Sequence, residues 1–316
     1  MSRSLRAHLL LLTVALVWGS TFVMVKGALA DVSPLLFNLL RMLVGFLCMA
    51  LLYRRQFRRV TARSLWSGAI VGFLLTAGFH FQTAGLARTT PSKSAFITGL
   101  LVVLVPLFAA FPALRPAGSA GPRWNAWVAA VLAFTGILLI TMPTSPAGQA
   151  PGSPGPIPMG DLLTLGCAFA FALHCIALSR ASERVPFEQL ALLQLGFSVV
   201  FMAAGEPMLE HPWVHPSARL VVALGVTGVL ATAAAFTIQS WAQQFLAAPH
   251  TVLILSLEPV FAALTSFLLL GERLGLRACL GALLVLAAIA LTALVPSRMQ
   301  PVEDEARAAT DEVAAL

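Results

Sequence analysis

Apolar positions in this chain come in long blocks, with little of the apolar–polar alternation of a half-buried strand. At a helical rise of about 1.5 Å per residue, roughly 20 apolar residues cross a hydrocarbon layer about 30 Å thick. By that measure the blocks cover 5–28, 34–53, 64–83, 92–111, 124–142, 160–179, 187–204, 218–240, 249–270 and 276–295. Helix is the predicted state, because lipid offers no partner to a backbone N–H or C=O left unpaired. Prolines stand where helices would begin, at Pro34, Pro91, Pro122, Pro186 and Pro249, positions whose N–H needs no intrahelical partner. Connections are mostly short, so neighbouring helices are expected to run antiparallel. The pattern predicts an all-α integral membrane fold of ten transmembrane helices.

One segment interrupts this rhythm. Residues 143–159 are rich in Pro, Gly and Ser and carry no charge, the composition of a flexible linker. They separate a first five-helix unit, 1–142, from a second, 160–296. A polar tail, 297–316, follows with Glu303, Asp304, Glu305, Asp311 and Glu312, and is expected to lack chemistry of its own.

Composition agrees. The chain is 59% hydrophobic and only 10% charged, too few charges to cover a water-soluble domain of 316 residues, where about a quarter is usual. The net charge of +7 does not mark a nucleic-acid surface, because the basic residues cluster in loops between apolar blocks. With the amino terminus placed in the cytoplasm, the inner side holds Arg3, Arg6, Arg54, Arg55, Arg58, Arg59, Arg63, Arg115, Arg123, Arg180, Arg184 and Arg298. The outer side holds only Arg88, Lys93, Arg219, Arg273 and Arg277. That bias puts both termini on the cytoplasmic side of a cell (inner) membrane. The apolar stretch after Arg3 and Arg6 ends near Ala28-Leu29-Ala30 like a signal peptide, but it is longer than the usual apolar region of about 7–15 residues and is expected to remain as the first helix.

The two units repeat one another. Phe79-His80-Phe81-Gln82-Thr83 has its match in Phe236-Thr237-Ile238-Gln239-Ser240, and Val105-Pro106-Leu107-Phe108-Ala109-Ala110 in Glu258-Pro259-Val260-Phe261-Ala262-Ala263. Leu39-Leu40-Arg41 corresponds to Leu192-Leu193-Gln194, and Trp18-Gly19 to Phe171-Ala172. Five is odd, so the second unit enters the membrane from the opposite side. Two inverted five-helix repeats can exchange conformations and open a site between them to either side in turn.

With these residues in place, the chain resembles the drug/metabolite transporter superfamily, in particular its EamA-type members. The resemblance is carried by Trp18-Gly19-Ser20-Thr21-Phe22, Pro34 with Arg41, Phe81-Gln82-Thr83-Ala84-Gly85-Leu86, Ser92-Lys93-Ser94-Ala95-Phe96-Ile97, and Leu255-Ser256-Leu257-Glu258-Pro259-Val260-Phe261 followed by Gly271-Glu272. It implies ten helices, a central cavity lined mainly by the first, third, fourth, sixth, eighth and ninth, and carriage of amino acids, other small metabolites or drugs, often outward. Phe171 stands where the family usually has Trp, and Val105 stands opposite Glu258.

The candidate chemistry lies inside the blocks. A carboxylate near mid-membrane is expensive, so Glu258 either gates, binds a substrate amine, exchanges a proton, or locks the fold through a helix-to-helix bond. Arg41 is the other deep charge, to be paired with Glu258, aimed at a substrate carboxylate, or held structurally; Pro106 and Pro259 complete the structural set. His80 and His174 either relay protons or supply packing hydrogen bonds. Trp18, Thr21, Gln82, Lys93 and Gln239 are the remaining cavity candidates, the two glutamines equally suited to polar links between helices and Lys93, like Lys26, to anchoring a helix end at the interface. Phe22, Phe79, Phe171 and Trp241 could join Trp18 in an apolar wall. Gly68, Gly72, Gly78, Gly99, Gly225 and Gly228 suit close helix contact.

No HExxH stretch, aspartate dyad or Cys/His cluster with ligand spacing is present, so no catalytic residue, metal or cofactor is expected, and a membrane-embedded enzyme is a weaker reading. A channel would call for charge rings or a carbonyl filter. The function expected is a secondary carrier, an exporter of amino acids or related compounds, with proton coupling as one option. Its partners are a small metabolite and the lipid bilayer, no nucleic acid, and it is expected as a monomer or weak dimer.

Overall fold

The computed structural model describes residues 3–108, 110–115, 124–141, 157–246 and 248–294. Pro122, the linker up to residue 156 and the tail from 297 lie outside the described residues, as do Arg123 and Arg298. Within the described residues the chain is helical and the sole strand-like feature is an isolated bridge between Val32 and Val214.

The first unit contains α1 (Arg3–Ala28), α2 (Pro34–Leu52), α3 (Ala62–Leu86), α4 (Pro91–Thr98), α5 (Leu101–Phe108) and α6 (Trp124–Thr141). The second contains α7 (Met159–Ser182), α8 (Phe187–Leu209), α9 (Ala218–Gly228), α10 (Ala235–Ala242), α11 (Ala248–Leu255), α12 (Glu258–Leu270) and α13 (Leu276–Leu294). Pro34 and Pro91 open α2 and α4, and Pro186 caps α8. Among the described residues seven stretches are long and apolar enough to cross a membrane: Leu5–Ala28, α2, α3, Pro91–Phe108, α7, α8 and Ala218–Ala242. Three shorter apolar helices, Trp124–Ile140, Glu258–Leu270 and Leu276–Leu291, accompany them.

Two apolar blocks expected to be single helices are interrupted. The fourth breaks at Gly99-Leu100 and the ninth at Ser256-Leu257. A third irregularity, a π-helical turn over Val229–Ala234, joins α9 to α10. In each repeat the break lies in the middle of the apolar block, where sequence periodicity gives no warning because the flanking residues remain apolar.

Small residues set the helix contacts. A Cβ on Gly19 would come within 2.6 Å of the Glu258 carbonyl oxygen, one on Gly72 within 2.8 Å of the Gln194 carbonyl, and one on Gly99 within 2.9 Å of the Pro259 ring. Gly136 of α6 and Gly281 of α13 face each other in the same way, each Cβ meeting the other's carbonyl at 2.6 and 2.5 Å. Without a hydrophobic force to press helices together in lipid, such close backbone approach is what van der Waals attraction requires. Gly225 has open space instead.

The two faces of the bundle are tied by different groups. Where α1 begins, Arg180 donates to the carbonyls of Ala113 (2.7 Å) and Arg115 (3.1 Å), and Gln189 donates to that of Arg59 (3.1 Å). At the far face Arg219 pairs with Asp31 (2.8 Å) and Lys93 with Asp161 (2.7 Å). There Lys26 also donates to the carbonyls of Leu86, Ala87 and Thr89 at the end of α3, where helix carbonyls run out of intrahelical donors. α7 starts on this far face, with Gly160 against Arg88 and Asp161 accepting from Thr89.

Two outcomes follow. Gly136→Val should lower the melting temperature in detergent, with overpacking costing about 1–3 kcal/mol, while Gly225→Ala should hold or raise it. Asp31, in the loop after α1, is held below its ordinary pKa of 3.8 by hydrogen bonds from Arg219 and then Ser217. Its contribution to stability is therefore present above that value and lost as pH falls through the lower folded one. The melting difference between the wild type and Asp31→Asn should be largest near neutral pH and close in strong acid.

Candidate functional site

The helices enclose a central cavity of about 700 Å³ of empty space, counting the part that opens outward, within the range of small-molecule sites. Its walls follow helical periodicity. From α1 come Trp18, Thr21, Phe22 and Val25, and from α3 Phe79, Gln82, Thr83 and Leu86; both sets are spaced i, i+3, i+4, i+7, one face of a helix. Phe171, His174 and Cys175 of α7 and Phe236 and Gln239 of α10 supply the second unit's side. The interrupted helices reach the cavity at their breaks, through Thr98, Leu101, Leu255 and Glu258, and α2 contributes Arg41.

The rings form one connected cluster. Phe79 lies edge-on to Phe171 (5.2 Å between centroids) and to Phe236 (6.0 Å), and Trp18 tilts against Phe236 at 5.5 Å. Edge-to-face packing of this kind adds directionality to apolar burial.

One acidic and one basic side chain face this space. Glu258 is the first residue of α12, placed at a helix N-terminus by the break before it, where the helix dipole favours negative charge. It is 7% exposed; among the described residues none hydrogen-bonds or pairs with its carboxyl group. Arg41, 4% exposed, donates through Nε and Nη2 to the Thr232 hydroxyl (3.3 and 3.2 Å) and lies 4.4 Å over the Phe79 ring centre, a cation–π contact. No ion pair joins Arg41 to Glu258 among the described residues. The π turn accounts for two of these placements: it carries Thr232, and its Ala231 carbonyl accepts the Trp18 indole N–H at 2.8 Å. A π turn loosens the i→i−4 ladder, and such turns are frequent at functional sites.

Neutral polar groups complete the lining. The amide of Gln194 donates to Ser240 (3.1 Å), which leaves its oxygen to accept from His174 Nε2 at 3.0 Å. Gln239 donates to the Cys175 sulfur at 3.6 Å, and its Oε1 has no partner.

Of the residues singled out from sequence, Trp18, Thr21, Gln82, His174, Gln239, Glu258 and Arg41 line the cavity. His80 and Lys93 do not. His80 is turned out of the lining face of α3, with both ring nitrogens buried and unpartnered, and Lys93 is held at the far face by Asp161. Pro259 packs over Gly99 beside the cavity; Pro106 lies within α5, away from it. Trp241 packs on Phe245 instead of joining the other rings. Sequence reasoning missed Phe236, Cys175, Thr98, Thr83, Val25, Leu86, Leu101 and Leu255. Phe236 stands three residues before Gln239 and Cys175 beside His174, so helical periodicity from the named residues is the signal that finds them.

Known proteins bear on this geometry. The model of the EamA-like transporter family matches residues 5–142 and again 158–294. The chain is 30% identical over 292 residues to an uncharacterized transporter of Archaeoglobus fulgidus, covering 92% of this chain and 87% of that one. It is 26% identical to the uncharacterized transporter YvbV of Bacillus subtilis, covering 90% and 91%. A solved crystal structure of 22% identity superposes with a TM-score of 0.65 over 93% of this chain and 98% of its own, a likeness of fold.

Trp18→Phe keeps the ring but removes the indole N–H that the Ala231 carbonyl accepts. The expected loss is about 0.5–1.5 kcal/mol, seen as a lower melting temperature in detergent with the secondary structure unchanged.

Proposed function

The chain belongs to the EamA-like transporter family, and we propose that it is a secondary carrier working by alternating access, moving small metabolites such as amino acids outward. It is a multi-pass membrane transporter with a lipid environment. The finer reading is ten crossings in two inverted five-helix repeats, 1–142 and 160–296, joined by the 143–159 linker and followed by a cytoplasmic tail, 297–316. In that reading α6, the α11–α12 pair and α13 supply the crossings beyond the seven longer stretches, and both termini lie on the inner side, as the loop arginines favour.

The single observation that carries the proposal is a cavity between the two family-matched stretches in which Arg41 and Glu258 are both present and not paired with each other. Buried charges are ordinarily paired, so an open pair of opposite sign suits a solute bringing both complements. An amino acid offers its carboxylate to Arg41 and its ammonium to Glu258, while the ring cluster takes its apolar part. When the cavity is empty of solute, a proton on Glu258 removes the uncompensated charge, which couples proton and solute at one group. Trp18, Thr21, Gln82, His174 and Gln239 line the solute's surroundings. Export is the direction the family resemblance favours.

Reconstitution in liposomes with a panel of labelled amino acids and other small metabolites, with and without a pH gradient, tests this. Saturable uptake stimulated by solute on the opposite side is expected. Glu258→Gln should lower transport about tenfold or more, equivalent to about 1.4 kcal/mol, and flatten its pH dependence; an unaltered pH profile would remove the proton-handling role. Product formation in place of flux would mark an enzyme.

A further inference from the structure

The cavity is deep on one side only. Its lining reaches Val25 and Leu86, in the last turns of α1 and α3, toward the far face. In the other direction it ends at Gln239, Leu255 and Glu258. Beyond them, toward the face where α1 begins, the cavity-facing sides of three helices continue with polar residues. On α7, Cys175 is followed at i+4 and i+7 by Ser179 and Ser182; after Gln239 the next turn brings Gln243; one turn before Leu255 on α11 stands Thr251. These helices pack on one another: Cys175 and Ile176 share a cluster with Ala248 and Val252, and Ala242 and Leu246 share one with Leu255. Ser182 ties α7 to the end of α10 by donating to the Gln243 carbonyl at 3.2 Å.

All of this column is buried. Gln243 is 5% exposed and Thr251 fully buried, yet both amide atoms of Gln243, the Thr251 hydroxyl and Gln239 Oε1 lack a hydrogen-bond partner. Eight buried side-chain polar atoms without a partner occur among the described residues, and four of them are here. Other buried hydroxyls are satisfied: Ser198 donates to the Gly72 carbonyl, and Thr83 donates to Asn38. An unpaired buried polar atom costs about 1–3 kcal/mol, and an apolar residue of the same size would avoid that cost. A line of them leading out of a cavity is accounted for if another conformation wets it.

We propose that Gln239, Gln243 and Thr251 line the second half of the transport path: a polar column, collapsed in this conformation, that takes up water and the polar part of the solute when the cavity opens toward the face of the 54–63 arginines. This rests on the carrier reading above and adds where the second opening runs. It places that opening within the second repeat, among α7, α10 and α11.

The test uses the full chain in membranes, with Gln243→Cys and Thr251→Cys made separately and Ser198→Cys as a buried, satisfied control. Inverted vesicles and intact cells are treated with a charged, membrane-impermeant maleimide, and labelled peptides are identified by mass spectrometry, so that native cysteines need not be removed. Both column cysteines should label from the exposed inner face roughly tenfold or more faster than the control, as expected if a minor open state is sampled, and much more slowly from outside. Labelling no faster than Ser198→Cys, or only from outside, would overturn the column as a path and leave those atoms to fixed internal water. Two independent positions guard against one variant misfolding, as judged by size-exclusion behaviour. Labelling in a chain without solute flux sinks the carrier reading alone, and flux without labelling sinks the column alone.

Discussion

In lipid a backbone amide or carbonyl has no water to turn to, so any departure from regular helix must be answered by another group of the protein. The site is built where the chain accepts that obligation. The ladder is broken at Gly99-Leu100 and Ser256-Leu257 and loosened over Val229–Ala234. The indole of Trp18 answers the Ala231 carbonyl. The second break makes Glu258 the first residue of a helix, where its charge meets favourable dipoles. Close approach at Gly19 and Gly99 holds these irregular segments against their neighbours. A cavity lined by broken helices is the arrangement in which membrane carriers place their binding groups.

The remaining helices serve a different purpose. α6 and α13 meet through Gly136 and Gly281 and contribute nothing to the cavity lining. α8 packs along α3 at Gly72 and reaches the site only through Gln194, which fixes His174. Such closely packed pairs form the frame around the cavity.

Much of this was legible in the order of residues. Block lengths and starting prolines located the helices, and the Gln82–Gln239 correspondence exposed the repeat and two lining residues. Glu258 and Trp18 stood out because a charge and an aromatic ring inside apolar blocks need a reason. The breaks were not legible, since Gly99 and Ser256 are tolerated in transmembrane helices and only tertiary contacts decide whether the ladder opens there. Nor was the partner of Arg41: Thr232 is one hydroxyl among many, and the π turn that presents it leaves no compositional trace. His80 and Lys93 show the converse. Their residue types suit a cavity, but rotation about the α3 axis turns the first aside, and Asp161, far away in sequence, claims the second.

The duplication is imperfect at the two places where charge enters the cavity. Val105 occupies the place in the first repeat that Glu258 holds in the second, and Gln194 the place corresponding to Arg41. Two faithful copies would enclose a chamber with a twofold axis, in which a bound molecule could lie equally well in either sense. Losing the acid from one copy and the base from the other abolishes that degeneracy: the chamber acquires a head and a tail.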